Sequence, residues 1–421
     1  MKIKRSELWI YFTFIIIFFW DILEDVMPNC QFILLLFLFF IYLLKDDKFY
    51  FSKGCKYVCC FAFAVFFHGV INIFLGNDTL NLLIIQLGSI LICYFIFISL
   101  IRNHSVGEIF GIYWKFAVVM SFIGIIEVIL GLLNISALQN LPIVFTYTKY
   151  WYRVGRIVKI ASLCREPSFL GYFLAPAVCL ILFKILAPEL LDQSFKGTNN
   201  KFSSVIILLA YLCTFSGVAY FGLIIMLFMI WWKKGVSLKK LLIPFVLIVT
   251  ALIMYSFVPD IHERVDDTFA VFFKGADGSS VNLSSYTYYA NYNVAQKAFI
   301  GNYGMGSGLG SYQMMFDKYN IGSWGASTLN LNREDANSGF FRILTELGIF
   351  GITLVVFFLI HFIPKSKHRN NCYSVACFTL ICMYLLRQGN YTHAGSILFL
   401  CLYVKSWNET RRIGMLDERK K

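Results

Sequence analysis

The chain has 421 residues, of which 58% are hydrophobic and 14% are charged, and its formal net charge is +13. Soluble domains carry roughly a quarter of their residues as charged side chains. The composition therefore excludes an ordinary soluble protein and predicts an all-α, polytopic integral membrane protein, organised as one membrane domain over residues 1–421. Nucleic-acid-binding proteins also carry an excess of Lys and Arg, but the positions of these residues here explain the excess as a topology signal.

Apolar segments that can cross a bilayer recur along the chain. A transmembrane helix needs about 20 residues, and about twelve segments approach that length. Two hydrophilic segments are longer than ordinary connections, which rarely exceed about 15 residues. They are an outer basic and aromatic loop, 134–167, and a large outer loop, 259–338, between the ninth and tenth spans. The predicted spans are Leu8–Leu23, Cys30–Leu44, Tyr57–Leu75, Leu80–Ile101, Ile109–Leu133, Ser168–Leu186, Phe202–Phe215, Val218–Trp232, Leu241–Val258, Gly339–Ile363, Cys372–Leu386 and Ala394–Trp407.

The distribution of basic residues fixes the predicted topology. The segment 202–232 could form one overlong helix, or two short helices with a break at Ser216–Gly217. With two helices, every basic cluster lies on the same side as the N-terminus, as the positive-inside rule requires. We therefore predict two spans here, both termini in the cytoplasm of a bacterial inner membrane, and no nucleic-acid partner. The clusters are Lys45–Lys56, Lys233–Lys240, Lys365–Arg369 and Arg411–Lys421.

The large outer loop contains two recognisable patterns. Apolar residues spaced for one helix face predict an amphipathic helix over Tyr286–Phe299. The glycine-rich segment Gly304–Gly310 does not follow a strand of a βαβ unit, which excludes a nucleotide-binding loop. It is either a plain flexible turn or a backbone turn that approaches a phosphate or the bilayer surface.

A cation and an anion stand where the sixth span begins. Arg165 and Glu166 precede Pro167, and proline suits the first turn of a helix, so both lie at a helix mouth. The approach to them is basic and aromatic, which predicts a site for the anionic headgroup of a lipid-linked substrate. Interfacial anchoring is the alternative, because Trp, Tyr, Lys and Arg favour this depth in any case. The approach contains Lys149, Trp151, Tyr152, Arg153, Arg156 and Lys159.

The tenth span begins with a second charged mouth. Arg342 and Glu346 are four residues apart and share one helix face. An ionisable group at membrane depth costs about 2.5–3.5 kcal/mol, so it faces a partner or a wet cavity. Two interpretations stay open: a structural Arg342–Glu346 pair, or an Arg342 that projects into a cavity shared with Arg165 and Glu166.

Four outward motifs resemble those of one protein family in their order along the chain. They are SLCREPSFLGYFLAP at 162–176, TFSGVAYFG at 214–222, GNYGMGSGLGSY at 301–312 and NSGFFRILTELGIFG at 337–351. Together with the topology, they resemble bacterial polysaccharide repeat-unit polymerases, the O-antigen polymerase (Wzy) family. The resemblance covers residues 150–363 by motif.

The resemblance implies a glycosyltransferase that uses no metal and no cofactor. Its donor would be a growing glycan on undecaprenyl pyrophosphate, and its acceptor a lipid-linked oligosaccharide repeat unit, at the outer face of the cytoplasmic membrane. The product would be the O-antigen of lipopolysaccharide, a capsule or an exopolysaccharide. A chain-length regulator and a flippase are the implied protein partners.

The residues suit such a reaction. The planar guanidinium of Arg binds phosphate oxygens bidentately, so Arg165 and Arg342 are the first candidates to hold the pyrophosphate. The acceptor hydroxyl needs a general base, for which Glu166 is the first candidate and Asp335 the second. Further candidates for binding the lipid-linked donor are Arg153, Arg156, Lys159 and Asn337.

Two other functions stay open. The first is an O-antigen ligase, which would transfer glycan to lipid A core. Ligases often carry a His where this chain has Ala336, and Ser-Arg where it has Ser216–Gly217, so both positions disfavour a ligase. The second is a transporter or flippase of the lipid-linked unit. Transporters often carry ionisable residues near the midplane, where this chain has only Lys115 and His68, and His68 is predicted to be a hydrogen-bonded helix histidine.

Overall fold

The computed structural model describes residues 7–46, 55–133, 153–154, 157–192, 194–234, 259–276, 280–320, 331–363 and 371–418, with isolated positions at 249, 255 and 256. Helix dominates this part of the chain, which confirms the predicted helical class. An antiparallel pair of two-residue strands, β1 (Arg153–Val154) and β2 (Ile157–Val158), precedes the central helix. The helices are α1 (Leu8–Phe18), α2 (Trp20–Val26), α3 (Cys30–Asp46), α4 (Cys55–Phe74), α5 (Leu80–Ile101), α6 (Val106–Leu132), α7 (Pro167–Leu186), α8 (Lys201–Cys213), α9 (Gly217–Lys234), α10 (Pro259–Lys274), α11 (Leu283–Gly301), α12 (Tyr312–Tyr319), α13 (Gly339–His361), α14 (Asn371–Arg387) and α15 (Ser396–Glu418).

Within the described ranges, six helices are long and apolar enough to cross a membrane: α4, α5, α6, α7, α9 and α13. The bent pair of α2 and α3 makes a seventh if it counts as one span, and α1, α8 and α14 are shorter apolar helices. These helices support a membrane protein, while the total of about twelve crossings stays a prediction. Apart from isolated positions, the predicted span Leu241–Val258 lies outside the described residues.

The predicted first span, Leu8–Leu23, is not one continuous helix. α1 ends at Phe18, α2 begins at Trp20, and α2 then turns by 109° into α3. The acids Asp21 and Asp25 lie in α2. Carboxylates at membrane depth are costly unless they are paired. The first span is interrupted at Phe19, two residues before Asp21. This interruption brings both acids to the mouth of α7.

The predicted break between the two short spans is present. α8 ends at Cys213 and α9 begins at Gly217. Between them, Phe215 has a left-handed backbone conformation (φ 45°), which ends the helix. The Thr214 hydroxyl donates to the carbonyl of Tyr211 at 2.8 Å and holds the last turn closed.

α7 is the central helix of the bundle. It packs against α6, α8, α9 and α14, and 72% of its apolar segment is buried inside the protein. The Tyr113 hydroxyl of α6 enters its hydrogen-bond ladder, because it donates to the carbonyl of Phe173 and accepts from the N–H of Ala177 at 3.2 Å. This insertion lies beside Pro176, whose missing N–H already interrupts the ladder. The position of the α7 mouth is therefore fixed by the core.

The large loop folds onto the bundle through α11. The predicted amphipathic helix is present and spans Leu283–Gly301. The predicted face is only partly correct: Ala290, Val294 and Ala295 are buried, whereas Phe299 is half-buried. α11 packs against α10, α12 and α13, so the loop rests on the second charged mouth.

Candidate functional site

Glu166 stands at the entrance to α7. The helix begins at Pro167, as the sequence predicts, and Glu166 is the extended residue before it (φ −134°). Its side chain is exposed and accepts a hydrogen bond from the Ser168 hydroxyl at 3.1 Å. This carboxylate is therefore accessible to a ligand at the mouth of the helix.

Arg165 is held by α2 through both its backbone and its side chain. Its N–H donates to Asp21 Oδ2 at 2.8 Å, and its guanidinium donates to Asp25 Oδ1 at 2.6 Å. Burial alone would lower the pKa of Arg165, but the charges of Asp21 and Asp25 outweigh burial and raise it. The side chain remains 37% exposed, so its positive charge is accessible beside Glu166.

A histidine from the other end of the chain completes this arrangement. His393 Nε2 lies 3.4 Å from Asp21 Oδ1, and both side chains are buried. The His393 ring also contacts Phe169 of α7, with ring centroids 4.7 Å apart. The loop 388–395, between α14 and α15, is thus joined to the α7 mouth.

The segment before α7 is anchored from α6. The buried carboxylate of Glu127 accepts the N–H groups of Ala161 (3.1 Å) and Ser162 (2.9 Å). Ser162 has a positive φ of 53°, and its hydroxyl donates to the carbonyl of Met120 at 2.8 Å. Half-buried Lys159 lies just before this anchor. The anchor fixes how the chain enters the mouth.

Arg342 and Glu346 form the ion pair that their spacing predicts, and the pair is buried. Arg342 Nε lies 2.9 Å from Glu346 Oε1, with side-chain exposures of 7% and 0%. The other guanidinium nitrogens donate to Gln86 Oε1 (2.8 Å) and to the carbonyl of Gly389 (3.1 Å). Tyr391 lies under the guanidinium, 4.6 Å away, and donates to Glu346 Oε2 at 2.9 Å. These contacts satisfy both charges of the pair, as the interpretation of Arg342–Glu346 as a structural ion pair requires.

The same loop serves both arginines. Gly389 and Tyr391 bind the Arg342–Glu346 pair, and His393 binds the Asp21 that holds Arg165. The two arginines thus share one supporting loop, and each has a carboxylate of its own.

The glycine segment Gly304–Gly310 is a packed structural turn. α13 is interrupted at Gly348 (φ 57°, ψ −145°), and the turn fits into this interruption. A side chain at Gly306 would come within 2.6 Å of the backbone of α13, so only glycine fits there. Two of its N–H groups already donate to the protein, which leaves them unable to cradle a phosphate. The bonds run from Ser307 N to Thr345 O and from Gly308 N to Glu346 O, both 2.9 Å.

The turn also covers an unusual acid and the predicted histidine. Asp78, between α4 and α5, is buried against Gly308 and accepts the N–H of Thr79 at 2.7 Å. Burial raises the pKa of Asp78 to about 7, with a smaller contribution from the charge of Glu346. His68 is hydrogen-bonded as predicted, with Nε2 2.8 Å from the carbonyl of Met305.

Asp335 and Asn337 lie on a tight turn before α13. Ala336 and Asn337 both have positive φ (64° and 54°), and Asp335 Oδ1 accepts the N–H of Asn337 at 3.1 Å. The turn lies directly against Gly389, where any side chain would collide with the carbonyl of Asp335. Ser338 caps α13 and donates to the carbonyl of Leu385 at 2.8 Å.

Three charged side chains, each from a different helix end, act electrostatically on the hydroxyl of Tyr172 in α7. They are Glu166 before α7, Asp335 on the turn before α13 and Arg387 at the end of α14. Arg387, at the end of α14, also lies over the ring of Tyr288, 5.4 Å from its centroid. This mixed-charge mouth, made of Glu166, Arg165, Asp335, Arg387 and Tyr172, is the candidate site.

Several of its parts had no clear signal in the sequence. Asp21, Asp25 and His393 each look like an isolated polar residue at the edge of a hydrophobic segment, and Arg387 like an ordinary last-turn cation. The closest signal is Asp21, which lies inside the predicted span Leu8–Leu23, because an acid at membrane depth requires a partner. Of the predicted basic approach, the side chain of Arg153 and the whole of Lys149, Trp151, Tyr152 and Arg156 lie outside the described residues.

Within the described part of the chain, no group of three or more His, Cys, Asp or Glu side chains could hold a metal ion. The sequence matches no protein-family model and no curated protein.

Proposed function

We propose that the chain is a polysaccharide polymerase that transfers a growing glycan from undecaprenyl pyrophosphate onto a lipid-linked repeat unit, at the outer face of the bacterial cytoplasmic membrane. The observation that supports this best is the mixed-charge mouth, where three helix ends supply the cations Arg165 and Arg387 and the acids Glu166 and Asp335. A reaction that expels pyrophosphate needs a cation beside the leaving group and a base beside the acceptor. The mouth offers both.

The proposed topology follows the distribution of charge. About twelve helices cross the membrane, both termini are cytoplasmic, and the segments 134–167 and 259–338 lie on the outer face. The mouths of α7 and α13 then open toward the side where lipid-linked glycans are polymerised.

The proposed reaction is a single displacement. A sugar hydroxyl of the acceptor attacks the anomeric carbon of the donor glycan, and the bond from that carbon to the pyrophosphate oxygen breaks. The electron pair leaves with undecaprenyl pyrophosphate, and attack from the opposite face inverts the configuration. The hydroxyl proton passes to Glu166, with Asp335 as the second candidate.

The cations have separate parts in this proposal. Arg165 is partly exposed and compensates the negative charge that develops on the pyrophosphate. Arg153, Arg156 and Lys159 form the basic approach along which the lipid-linked donor arrives. Asn337, whose backbone N–H binds the carboxylate of Asp335, would contact the same donor.

Arg342 acts through the shape of the mouth, because its guanidinium already binds Glu346, Gln86 and Gly389. Arg342→Lys separates this role from direct pyrophosphate binding, since Lys cannot reproduce the planar fork of donors. Lost activity together with lower thermal stability supports the structural role. Lost activity at unchanged stability supports direct contact with the pyrophosphate.

The experiment is to reconstitute the purified protein in lipid vesicles with the native lipid-linked repeat unit and to look for a ladder of longer glycans. Glu166→Gln is expected to abolish the ladder while the protein stays inserted and folded. Glu189→Gln is the matched control, because Glu189 is an exposed acid at the other end of α7 and its loss should leave the ladder unchanged.

The outcomes separate the three functions. A wild-type protein that yields no ladder, but transfers glycan once to added lipid A core, is a ligase. One that only moves the lipid-linked unit across the bilayer is a transporter. Either result overturns the polymerase, and a full ladder from Glu166→Gln overturns the role of that carboxylate.

A further inference from the structure

Tyr172 carries a buried polar atom that the fold does not use. Its side chain is 1% exposed, and its hydroxyl has no hydrogen-bond partner among the described residues. Burial of a hydroxyl without a partner forfeits the hydrogen bonds it makes with water, so such groups are rare in folded proteins. A retained orphan hydroxyl calls for an explanation, and a ligand that pairs with it is one.

The orphan hydroxyl is unusual among the buried tyrosines of this protein. Tyr172 also differs from them in position, because it lies one turn inside α7, beneath Glu166. Other tyrosines of the described part donate to backbone, amide or carboxylate oxygens. They include Tyr42 to Ser99 O, Tyr113 to Phe173 O, Tyr211 to Ala219 O, Tyr312 to Asn291 Oδ1, Tyr373 to Asp192 Oδ2, Tyr391 to Glu346 Oε2 and Tyr403 to Leu359 O.

A second orphan donor lies in the same mouth. Asn337 is 6% exposed, and its Nδ2 is without a hydrogen-bond partner in the described ranges. Its backbone N–H is bound by Asp335, whose charge also acts on the Tyr172 hydroxyl. Tyr384 lies between the two sides: its ring is 4.9 Å from that of Tyr172, and α13 packs against its carbonyl at Gly339.

We propose that the Tyr172 hydroxyl and the Asn337 amide form a subsite that hydrogen-bonds sugar hydroxyls of the glycan, a proposal that rests on the proposed polymerase function. Both atoms are shielded from solvent, so glycan binding at the subsite requires the mouths of α7 and α13 to separate. The new hydrogen bonds then favour the glycan-bound state. The subsite thus provides binding energy that the closed mouth lacks.

The chemistry of the subsite suits a sugar. Its two polar groups, the Tyr172 hydroxyl and the Asn337 amide, are uncharged. Groups of this kind pair well with sugar hydroxyls. The neighbouring rings of Phe169 and Tyr384 offer flat apolar faces of the kind on which sugar rings stack. The phosphate end of the substrate is left to Arg165.

The test compares the removal of two buried hydroxyls, one without a hydrogen-bond partner in the fold and one with such a partner. The two removals should have opposite effects on thermal stability and on KM. Tyr172→Phe deletes an orphan group, so its thermal stability should equal or exceed that of wild type. The KM for the lipid-linked glycan in the vesicle assay should rise about tenfold, the equivalent of one lost hydrogen bond of about 1.4 kcal/mol. Asn337→Gly, which tolerates the positive φ of this residue (54°), should raise KM in the same way.

Tyr211→Phe is the matched control. Its hydroxyl is buried and donates to the carbonyl of Ala219 at 2.5 Å, within the core of the bundle. Its removal should lower the unfolding temperature and leave KM unchanged. The two Tyr→Phe variants should therefore show opposite patterns of stability and substrate binding.

A direct binding measurement tests the sugar subsite independently of whether the protein polymerises glycan. The probes are the repeat-unit oligosaccharide, released by mild acid from its lipid carrier, and inorganic pyrophosphate. Tyr172→Phe should weaken binding of the oligosaccharide about tenfold and leave binding of pyrophosphate unchanged. If Tyr172→Phe weakens oligosaccharide binding but the wild-type protein does not polymerise, the subsite is supported and the polymerase function is overturned. Unchanged oligosaccharide binding, weakened pyrophosphate binding, or a Tyr172→Phe variant that unfolds earlier overturns the subsite.

Discussion

The two charged mouths each pair an arginine with a carboxylate, but they do so in opposite ways. At the α7 mouth, Arg165 binds acids that another helix supplies, and its side chain stays 37% exposed. At the α13 mouth, Arg342 binds an acid one turn away on its own helix, and the pair is almost wholly enclosed. At the α7 mouth the cation stays accessible to a ligand, whereas at the α13 mouth the cation is enclosed in an ion pair that stabilises the fold.

This difference shows why charge at a membrane mouth is a weak guide to function by itself. A buried guanidinium must have its donors satisfied, and at Arg342 they are bound by Glu346, Gln86 and Gly389. A half-exposed guanidinium can exchange one partner for a ligand at little cost. Exposure therefore separates a cation that binds substrate from one that holds the site together.

The largest effect is expected from breaking the enclosed pair. Glu346→Ala leaves Arg342 buried without its carboxylate and should reduce the free energy of unfolding by about 3–5 kcal/mol, measured by thermal unfolding in detergent. The control is the double replacement Arg342→Met with Glu346→Leu, which removes both charges and should be nearly neutral. Equal losses in the single and double variants would contradict the enclosed pair.

The second effect is a pH dependence that arises at Asp78, which lies against the glycine segment 304–310. Burial raises the pKa of Asp78 to about 7 from its ordinary 3.8. The folded state therefore holds a proton that the unfolded state releases, and stability falls by about 1.4 kcal/mol per pH unit as the pH rises from about 4 to 7. Asp78→Asn keeps the bond from Thr79 and should remove this fall, so that the variant is the more stable protein at pH 7 and above.

Unfolding temperatures measured at a series of pH values test this expectation. Asp192→Asn at the far end of the bundle is the comparison, since Asp192 binds Ser194 and Tyr373 instead. Parallel curves for wild type and Asp78→Asn between pH 4 and 7 would show that Asp78 ionises normally in the fold.

The smallest effect on stability is expected at the α7 mouth. Asp25→Asn weakens a partly exposed ion pair with Arg165, and such pairs contribute about 0–1 kcal/mol. Activity should nevertheless change, because the guanidinium proposed to hold the pyrophosphate loses its positioning acid. The measurement is chain-ladder formation beside thermal unfolding. A large loss of stability would mean that the two mouths are built alike.

Local parts of this site could be predicted from the sequence. Pro167 marks the start of α7, which places Arg165 and Glu166 at its mouth. The i,i+4 spacing of Arg342 and Glu346 predicts their ion pair, because helix geometry brings such residues together. The break between α8 and α9 followed from the positive-inside rule, and the structure has it.

Contacts between distant segments could not be predicted. His393 meets Asp21 across 372 residues, and Arg342 meets Gln86 across 256. The glycine segment looks like a free turn in the sequence, and only the interruption of α13 at Gly348 explains its conformation. The orphan hydroxyl of Tyr172 is also visible only in three dimensions, since an orphan is defined by what surrounds it.

The sequence by itself determined that this is a helical membrane protein, where its apolar helices run and which ionisable residues stand at their ends. These properties depend on hydropathy and on neighbours within one helical turn, which a linear pattern records. Only the tertiary structure decided which carboxylate holds which arginine, which cation stays exposed and which polar atoms remain unpaired. Helix packing sets those distances, and many different packings satisfy the same hydropathy.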